Sequence, residues 1–154
     1  MNKLILALGS NQGNSIESLK LAREKLAVHF GRYEASRVYV SDAVDYLDQP
    51  QFYNQVIAFD LPKVSAQNVL QKTMSVEAEL GRTRLIKFGP RIIDIDLIFY
   101  ADQNYQLEQL IIPHPRFLQR SFVVYPLLDL SIKSWLLDNY AIPDHLEVNA
   151  SPID

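Results

Sequence analysis

The chain has 154 residues, the length of one ordinary domain, and its 48% hydrophobic and 21% charged residues are typical of a soluble globular protein. A formal charge of −3 gives it no overall basic surface for nucleic acid, and the absence of cysteine excludes disulfides, thiolate nucleophiles and cysteine-ligated zinc. Because no apolar run approaches the roughly 20 residues that cross a bilayer, we expect a cytoplasmic protein that binds neither membrane nor nucleic acid.

The first part of the chain predicts a strand followed by a helix. Residues 3–8 are mostly apolar and end at a Gly-Ser-Asn turn, which is typical of a buried strand. Asn14, with Glu17 three positions later, resembles a helix cap, and apolar residues recur at helical spacing as far as Gly31. The turn at residues 9–14 also resembles a phosphate loop. It lacks the lysine and the spacing of a Walker A motif, so a plain turn with a helix cap is favoured.

Two strands, a second helix and a further strand follow. Alternating residues predict strands over 32–41 and 52–61, separated by the aspartate-rich loop 42–51. A helix is predicted from Ser65 to Gly81, and the fourth strand covers residues 92–100.

The resulting β-α-β-β-α-β order predicts an α+β fold. It is typical of a ferredoxin-like sandwich, in which an antiparallel sheet has both helices on one face and the other face is left for a ligand. The last third, from Ala101, is expected to be a C-terminal extension. No repeat or linker divides the chain, so residues 1–154 are expected to form one domain.

Two aspartates on the fourth predicted strand are the first candidate site. Asp94 and Asp96 lie two positions apart, so their side chains share one face and their backbones are about 6–7 Å apart. The opposite, core side is expected to hold Ile93, Ile95, Leu97 and Phe99. A half-solvated strand would show the same alternation. Two carboxylates on one face repel each other, however, and their presence is easier to understand if a cation such as Mg²⁺ neutralises them.

Basic residues surround this pair in the sequence. Upstream, four of them occur without an acid among them: Arg82, Arg84, Lys87 and Arg91. This segment is either a solvated basic loop or, beside the aspartates, half of a phosphoryl-transfer site for a triphosphate. Downstream, Arg116 and Arg120 are spaced to share one face of a helical turn. His114, between two prolines, is a candidate phosphate ligand, although such a histidine is more often a structural hydrogen-bonder.

Together these segments resemble the 6-hydroxymethyl-7,8-dihydropterin pyrophosphokinases. The resemblance extends over residues 4–128 and includes LALGSNQGN at 6–14, QPQFYN at 49–54, ELGRTR at 79–84, GPRIIDIDLIFY at 89–100 and IPHPRFLQRSFVVYPL at 112–127. It implies a ferredoxin-like enzyme of folate biosynthesis, in which the hydroxyl of the pterin attacks the β-phosphorus of ATP and AMP is released.

The resemblance also implies roles for individual residues. Asp94 and Asp96 are expected to bind two Mg²⁺ ions, and Arg82 and Arg91 to act as catalytic arginines. The expected ATP contacts are Glu77, Arg84, Lys87, His114, Arg116 and Arg120. Two aromatic rings are expected to stack on the flat pterin while an amide reads its edge. The expected pterin contacts are Gly9, Ser41, Val44, Phe52, Asn54 and Phe122.

Two other functions remain open from the sequence. A ferredoxin-like domain that binds RNA would present basic and aromatic residues on its sheet, whereas Asp94 and Asp96 would repel phosphates there. An inactive homologue is the second alternative, because residues 41–45 depart from the proline-containing run usual in the family. The expected partners are ATP and the dihydropterin, and the protein is expected to act as a monomer.

Overall fold

The computed structural model describes residues 1–43, 48–81 and 92–153. These residues combine helices with an antiparallel sheet, which confirms the predicted α+β class. In chain order the elements are β1 (Lys3–Ser10), α1 (Ser15–Phe30), β2 (Tyr33–Ala35), β3 (Tyr39–Ser41), β4 (Phe52–Asp60), α2 (Ala66–Glu79), β5 (Asp94–Tyr100), β6 (Tyr105–Leu107), β7 (Leu110–Ile112), a 3-10 turn (Phe117–Gln119), α3 (Ser121–Leu128), α4 (Lys133–Asn139) and β8 (Ala150–Pro152). None of the helices formed by the described residues has the length and apolar character that a bilayer crossing requires.

The main sheet has the strand order β5-β1-β4-β3-β8, and β2 also pairs with β4. These pairings are antiparallel. In the register of the sheet, Gly9 pairs with Asn54 on one side and with Asp94 on the other. Paired residues of antiparallel strands direct their side chains to the same face of the sheet. Asn54 on β4 and Asp94 on β5 therefore share a face, with Gly9 on β1 between them.

Helices α1 and α2 pack against each other and against one apolar cluster of the sheet. The predicted boundaries follow from their caps. Asn14 Oδ1 accepts a hydrogen bond from Glu17 N at 3.2 Å, and α1 ends at Gly31, whose φ of 91° suits glycine. Ser65 Oγ accepts from Asn68 N at 3.1 Å at the start of α2.

The opposite face of the sheet is not left free, contrary to the prediction. The C-terminal third, for which only a helical turn at Arg116 and Arg120 was predicted, forms α3 and α4 and covers much of this face. Val123, Leu127 and Leu136 are buried there in a second apolar cluster with the sheet residues Ile5 and Ala58. Apolar burial by this layer explains why the face could not remain open to solvent.

A β-bulge in β5 interrupts the alternation that the sequence predicted for this strand. Leu6 pairs with Leu97 and its neighbour Ile5 pairs with Phe99, so Ile98 is an extra residue in the ladder. Ile93, Ile95 and Leu97 belong to the helix-side cluster as predicted, whereas Phe99 lies in the cluster on the other face. There its ring centroid is 5.0 Å from that of Phe117 and 5.2 Å from that of Trp135.

The strand predicted over residues 32–41 is also interrupted. Ala35 pairs with Ile57 and Tyr39 pairs with Asn54. Between these two pairs the chain advances four residues from β2 to β3 but only three along β4. Ser36 occupies the irregularity: its N donates to Val56 O at 2.9 Å and its Oγ accepts from Val56 N at 3.0 Å. The hydroxyl thus replaces a backbone partner, and the strand divides into β2 and β3.

The end of α3 is fixed to the sheet by a polar cluster. The carboxylate of Asp129 accepts hydrogen bonds from Arg37 Nη2 at 3.0 Å and from Tyr39 Oη at 2.9 Å. Burial raises the pKa of Asp129, but the hydrogen bonds from Arg37 and Tyr39 outweigh it, so that its pKa lies below the ordinary 3.8. The ionised carboxylate therefore stabilises the fold above about pH 4, and this contribution is lost as the pH falls through the lowered pKa.

We therefore expect Asp129→Ala to lower the melting temperature by about a few degrees at pH 7, because it removes the partner of Arg37 and Tyr39. The difference from the unmutated protein should shrink as the pH is lowered below 4. Thermal melts across pH measure both effects. Asp138→Ala, which removes an exposed carboxylate from α4, is the matched control. A difference that does not depend on pH would contradict the ionic origin.

Candidate functional site

Asp94 and Asp96 lie at the start of β5, on the face that the C-terminal layer partly covers. Their register partners on β1 are Gly9 and Ala7, and both aspartates are partly exposed. A guanidinium approaches the pair, since Arg120 Nη1 lies 4.0 Å from Asp96 Oδ2. The predicted pair thus faces the same way, beside one of the predicted phosphate-binding arginines.

Glu77 reaches this strand from α2. Its side chain is buried, with 8% of the residue exposed, and its Oε2 accepts a hydrogen bond from Ile95 N at 2.8 Å. Ile95 lies between the two aspartates, so Glu77 holds the backbone from which both carboxylates project. The structure gives Glu77 this positioning contact, and a contact with ATP stays a prediction.

His114 lies beside β5, half-buried and close to two arginines. Its N donates to Ile98 O at 3.2 Å, and its Nδ1 accepts from Arg116 N at 3.2 Å. Burial, followed by the charges of Arg120 and Arg116, lowers the pKa of His114 to about 4. The imidazole is therefore neutral at neutral pH with its proton on Nε2, and it can offer a hydrogen bond but not a positive charge to a ligand.

The two downstream arginines have different surroundings. Arg116 Nη2 donates to both carboxylate oxygens of Glu147, at 3.1 and 2.9 Å. Arg120 places its Cζ 5.6 Å from the centre of the Phe122 ring, and it also approaches Asp96. Arg120 therefore lies between the aspartate pair and a predicted pterin ring, whereas Arg116 faces the C-terminal tail.

A pocket of about 250 Å³ opens on the other side of the aspartates, between β5 and the β6–β7 hairpin. The sequence did not predict it, because no strand was predicted after Ala101. Apolar residues form much of its lining, together with polar groups that include Asp96 and His114. The lining residues are Leu70, Ile95, Asp96, Leu97, Glu108, Gln109, Leu110, Ile111, His114 and Pro115.

Four of the predicted pterin residues converge at the neighbouring strands. Asn54 is buried, and its Nδ2 donates to Ser41 Oγ at 2.9 Å. A Cβ placed on Gly9 would lie 3.4 Å from Asn54 Oδ1 and 3.5 Å from Phe52 Cδ1. Gly9 therefore provides the space in which the Phe52 ring and the Asn54 amide lie. Phe122, another predicted pterin residue, is the second residue of α3, which packs against β3 and β4.

Asn11 is a positioning residue that the sequence did not single out. It is buried, and its Nδ2 donates to Gln49 Oε1 at 2.9 Å and to Pro50 O at 3.0 Å. These bonds fix Gln49 and Pro50, three and two positions before Phe52. The signal was present in the sequence as a polar residue directly after a buried strand.

A comparison with protein families accounts for this arrangement. The model of the 7,8-dihydro-6-hydroxymethylpterin-pyrophosphokinase (HPPK) family matches residues 5–132, which is most of the chain. The chain belongs to the HPPK family. Its site geometry can therefore be interpreted against a known chemistry.

Relatives from several organisms support the HPPK assignment. The chain is 37% identical over 131 residues to the 2-amino-4-hydroxy-6-hydroxymethyldihydropteridine pyrophosphokinase of Bacillus subtilis, covering 84% of this chain and 78% of that protein. It is 32% identical over 152 residues to the enzyme of the same name from Pseudomonas aeruginosa, covering 95% and 91%. The folic acid synthesis protein fol1 of Pneumocystis carinii is 42% identical over 127 residues, and there the match covers 82% of this chain but only 17% of the longer protein.

A solved structure shows the same fold at low sequence identity. The crystal structure of a triple mutant of Plasmodium falciparum HPPK-DHPS with pteroate superposes with a TM-score of 0.61 at 14% identity, and the match covers 96% of this chain and 48% of that chain.

The oxygen ligands of the site suit a magnesium ion that is also bound by substrate. Within residues 1–43, 48–81 and 92–153, no group of three or more His, Cys, Asp or Glu side chains could hold a metal ion alone. Asp94 and Asp96 offer carboxylate oxygens only. Mg²⁺ normally combines one or two carboxylates with water and substrate phosphates, so the pair fits such an ion.

Five predicted HPPK site residues lie outside the described residues, and their roles stay predictions. They are Val44, between β3 and β4 in the sequence, and Arg82, Arg84, Lys87 and Arg91, between α2 and β5.

Gly9 gives a test of the space beside Phe52. Gly9→Ala should bind a dihydropterin analogue almost normally, because the added Cβ would make only ordinary contacts. Gly9→Val should weaken binding by about tenfold or more, since its further methyl groups must displace the Phe52 ring or the Asn54 amide. Calorimetric titration compares the two variants. Equal binding by both would contradict the assigned close approach.

Proposed function

We propose that this end of the sheet transfers pyrophosphate from ATP to the hydroxymethyl group of 6-hydroxymethyl-7,8-dihydropterin and releases AMP. The observation that supports it is the row Asp94–Gly9–Asn54 across three adjacent strands. This row puts the carboxylates between the proposed pterin residues on one side and the 250 Å³ pocket on the other. A phosphoryl-transfer site needs this order: acceptor, cation ligands, nucleotide.

The reaction balances as a substitution at phosphorus. The acceptor oxygen forms a bond to the β-phosphorus, the bond from that phosphorus to the oxygen bridging to the α-phosphate breaks, and the hydroxyl proton is released. Asp94 and Asp96 would hold two Mg²⁺ ions, which when bound neutralise triphosphate charge and lower the pKa of the attacking hydroxyl. Glu77 holds the Ile95 backbone between them and so fixes the separation of the two carboxylates.

The pterin is proposed to stack between Phe52 and Phe122, with Asn54 at its edge and Gly9 and Ser41 beneath it. The bond from Asn54 Nδ2 to Ser41 Oγ fixes the amide orientation, which leaves Oδ1 directed towards Gly9. An amide held in this way reads a heterocycle edge without the entropy cost of ordering on binding. Val44 is proposed to complete this pocket.

The nucleotide is proposed to enter the pocket between β5 and the β6–β7 hairpin. Leu70 and Ile111 provide apolar walls for a flat base, and His114 and Asp96 line the same pocket. Because His114 is neutral, positive charge for the triphosphate must come from other side chains, for which we propose Arg120, Arg116, Arg84 and Lys87, with Arg82 and Arg91 as the catalytic arginines.

We further propose that the chain is one ferredoxin-like domain that acts as a cytoplasmic monomer and needs neither nucleic acid nor membrane. The strand order β5-β1-β4-β3, with α1 and α2 packed together, supports the ferredoxin-like arrangement.

Release of AMP from Mg-ATP tests the proposed activity. The protein should release AMP only when 6-hydroxymethyl-7,8-dihydropterin is present, and product should form in equal amount. No AMP with the dihydropterin would favour the inactive homologue. Binding of single-stranded RNA at physiological salt, with no AMP release, would instead support the RNA-binding alternative.

A further inference from the structure

The C-terminal residues 147–153 connect the start of α3 with β3. At one end, Glu147 N donates to Gln119 O at 2.6 Å and Ser121 Oγ donates to Val148 O at 2.9 Å. At the other end β8 pairs with β3, so that Ala150 lies opposite Ser41. We name residues 147–153 the strap, because they join two parts of the protein that are distant in the sequence.

The strap is fastened by charge as well as by backbone bonds. Both carboxylate oxygens of Glu147 accept hydrogen bonds from Arg116 Nη2. The backbone of Glu147 also forms an isolated parallel β-bridge with that of Arg120. Hydrogen bonds between ionised groups are stronger than neutral ones, and here they add to a strand pairing that covers β3. The strap lies beyond residues 5–132, which match the family model.

The two ends of the strap meet the two sides of the proposed pterin pocket. Ser121, which donates to the strap, precedes Phe122 in α3, while Ser41, which pairs with it, accepts from Asn54. The far end of α3 is held separately, since Asp129 bonds to Arg37 and Tyr39. Without the strap, the start of α3 would lose its polar connection to β3, and the separation of Phe122 from Phe52 would be less closely fixed.

We propose that Glu147 is a positioning residue for the pterin: through the strap it sets where Phe122 lies relative to the pocket on β3 and β4. This inference rests on the proposed function, because it concerns the same pocket. Two roles of the C-terminal tail predict different results. A positioning role affects pterin affinity, whereas a role confined to orienting Arg116 for ATP would affect nucleotide affinity.

Point variants of the full chain test the inference by titration. Glu147→Ala removes the carboxylate and Ser121→Ala removes the hydroxyl donor, with the exposed residues changed in Asp144→Ala and Ser134→Ala as matched controls. A dihydropterin analogue is titrated in the presence of Mg²⁺ and a non-hydrolysable ATP analogue, and ATP-analogue affinity, kcat and KM are measured in parallel.

We expect Glu147→Ala and Ser121→Ala to weaken pterin binding by about tenfold each, as for the loss of one or two hydrogen bonds. Ser121→Ala should leave ATP-analogue affinity and kcat at saturating pterin within about twofold. Glu147→Ala also releases Arg116, so its ATP-analogue affinity should change, but by less than its pterin affinity. The controls should match the unmutated protein. Glu147→Gln, which keeps one side-chain acceptor, should fall between.

Unchanged pterin affinity in both variants, or a loss that is equal for pterin and nucleotide, would overturn the positioning role. Ser121→Ala is the milder change and keeps the test decisive if Glu147→Ala does not fold. Failure of the unmutated protein to bind the pterin analogue would instead overturn the proposed function itself.

Discussion

Asp96→Ala is expected to lower the turnover number by about a thousandfold or more. The carboxylate projects beside Arg120 between the two proposed substrate pockets, where it would hold a cation against the transferring group. Removing such a ligand affects the transition state most, because negative charge there is redistributed between the attacking and leaving oxygens. Turnover is measured as AMP release at saturating dihydropterin and ATP over a range of Mg²⁺ concentrations.

Folding should survive this substitution. Arg120 Nη1 lies 4.0 Å from Asp96 Oδ2 and the aspartate is partly exposed, so the ion pair between them contributes about 1 kcal/mol or less. Asp102→Ala, which removes an exposed carboxylate just after β5, is the matched control for charge. Near-normal turnover of Asp94→Ala or Asp96→Ala at saturating Mg²⁺ would exclude the assignment of these residues as metal ligands.

Phe52→Ala and Phe122→Ala are each expected to cost about 2–3 kcal/mol of pterin binding, which is roughly 30- to 150-fold in Kd. Each ring would lose both buried area and stacking on the flat heterocycle. Affinity for the ATP analogue should change much less, because the proposed nucleotide pocket lies on the other side of Asp96. Calorimetric titration with the dihydropterin analogue, Mg²⁺ and the ATP analogue measures both affinities.

Tyr125→Ala provides the control for Phe122, since Tyr125 is an exposed aromatic residue on the same helix. Loss of binding in this control would indicate that the Phe122 effect comes from damage to α3. Normal pterin affinity in both phenylalanine variants would contradict the pocket assignment and support the inactive homologue.

Local sequence signals predicted the elements of the first two thirds well. Asn14 and Ser65 supply side-chain caps, and Gly31 and Gly81 adopt the positive φ that ends each helix. These interactions involve residues three or four positions apart, so they can be read without knowing the fold. Period-two spacing likewise predicted that Asp94 and Asp96 would share a face.

The predictions were wrong where the structure depends on contacts between residues that are far apart in the sequence. Phe99 changed face because a bulge at Ile98 accommodates pairing with β1, and residues 32–41 divided because Ser36 bonds to Val56 on β4. The face predicted to be open is partly covered, because α3 and α4 bury the apolar residues of that side. None of these contacts has a local periodic signal in the sequence.

The sequence by itself determined the family, the class of fold and the candidate chemical groups, because motifs and caps depend on residue identity at short spacing. Only the tertiary structure decided which groups meet: Asn54 and Asp94 on either side of Gly9, Glu77 on the backbone of Ile95, and Glu147 on Arg116. Glu147 and Arg116 are 31 positions apart, and their partnership depends on the path of the tail, which is set by strand pairing and burial and not by local spacing.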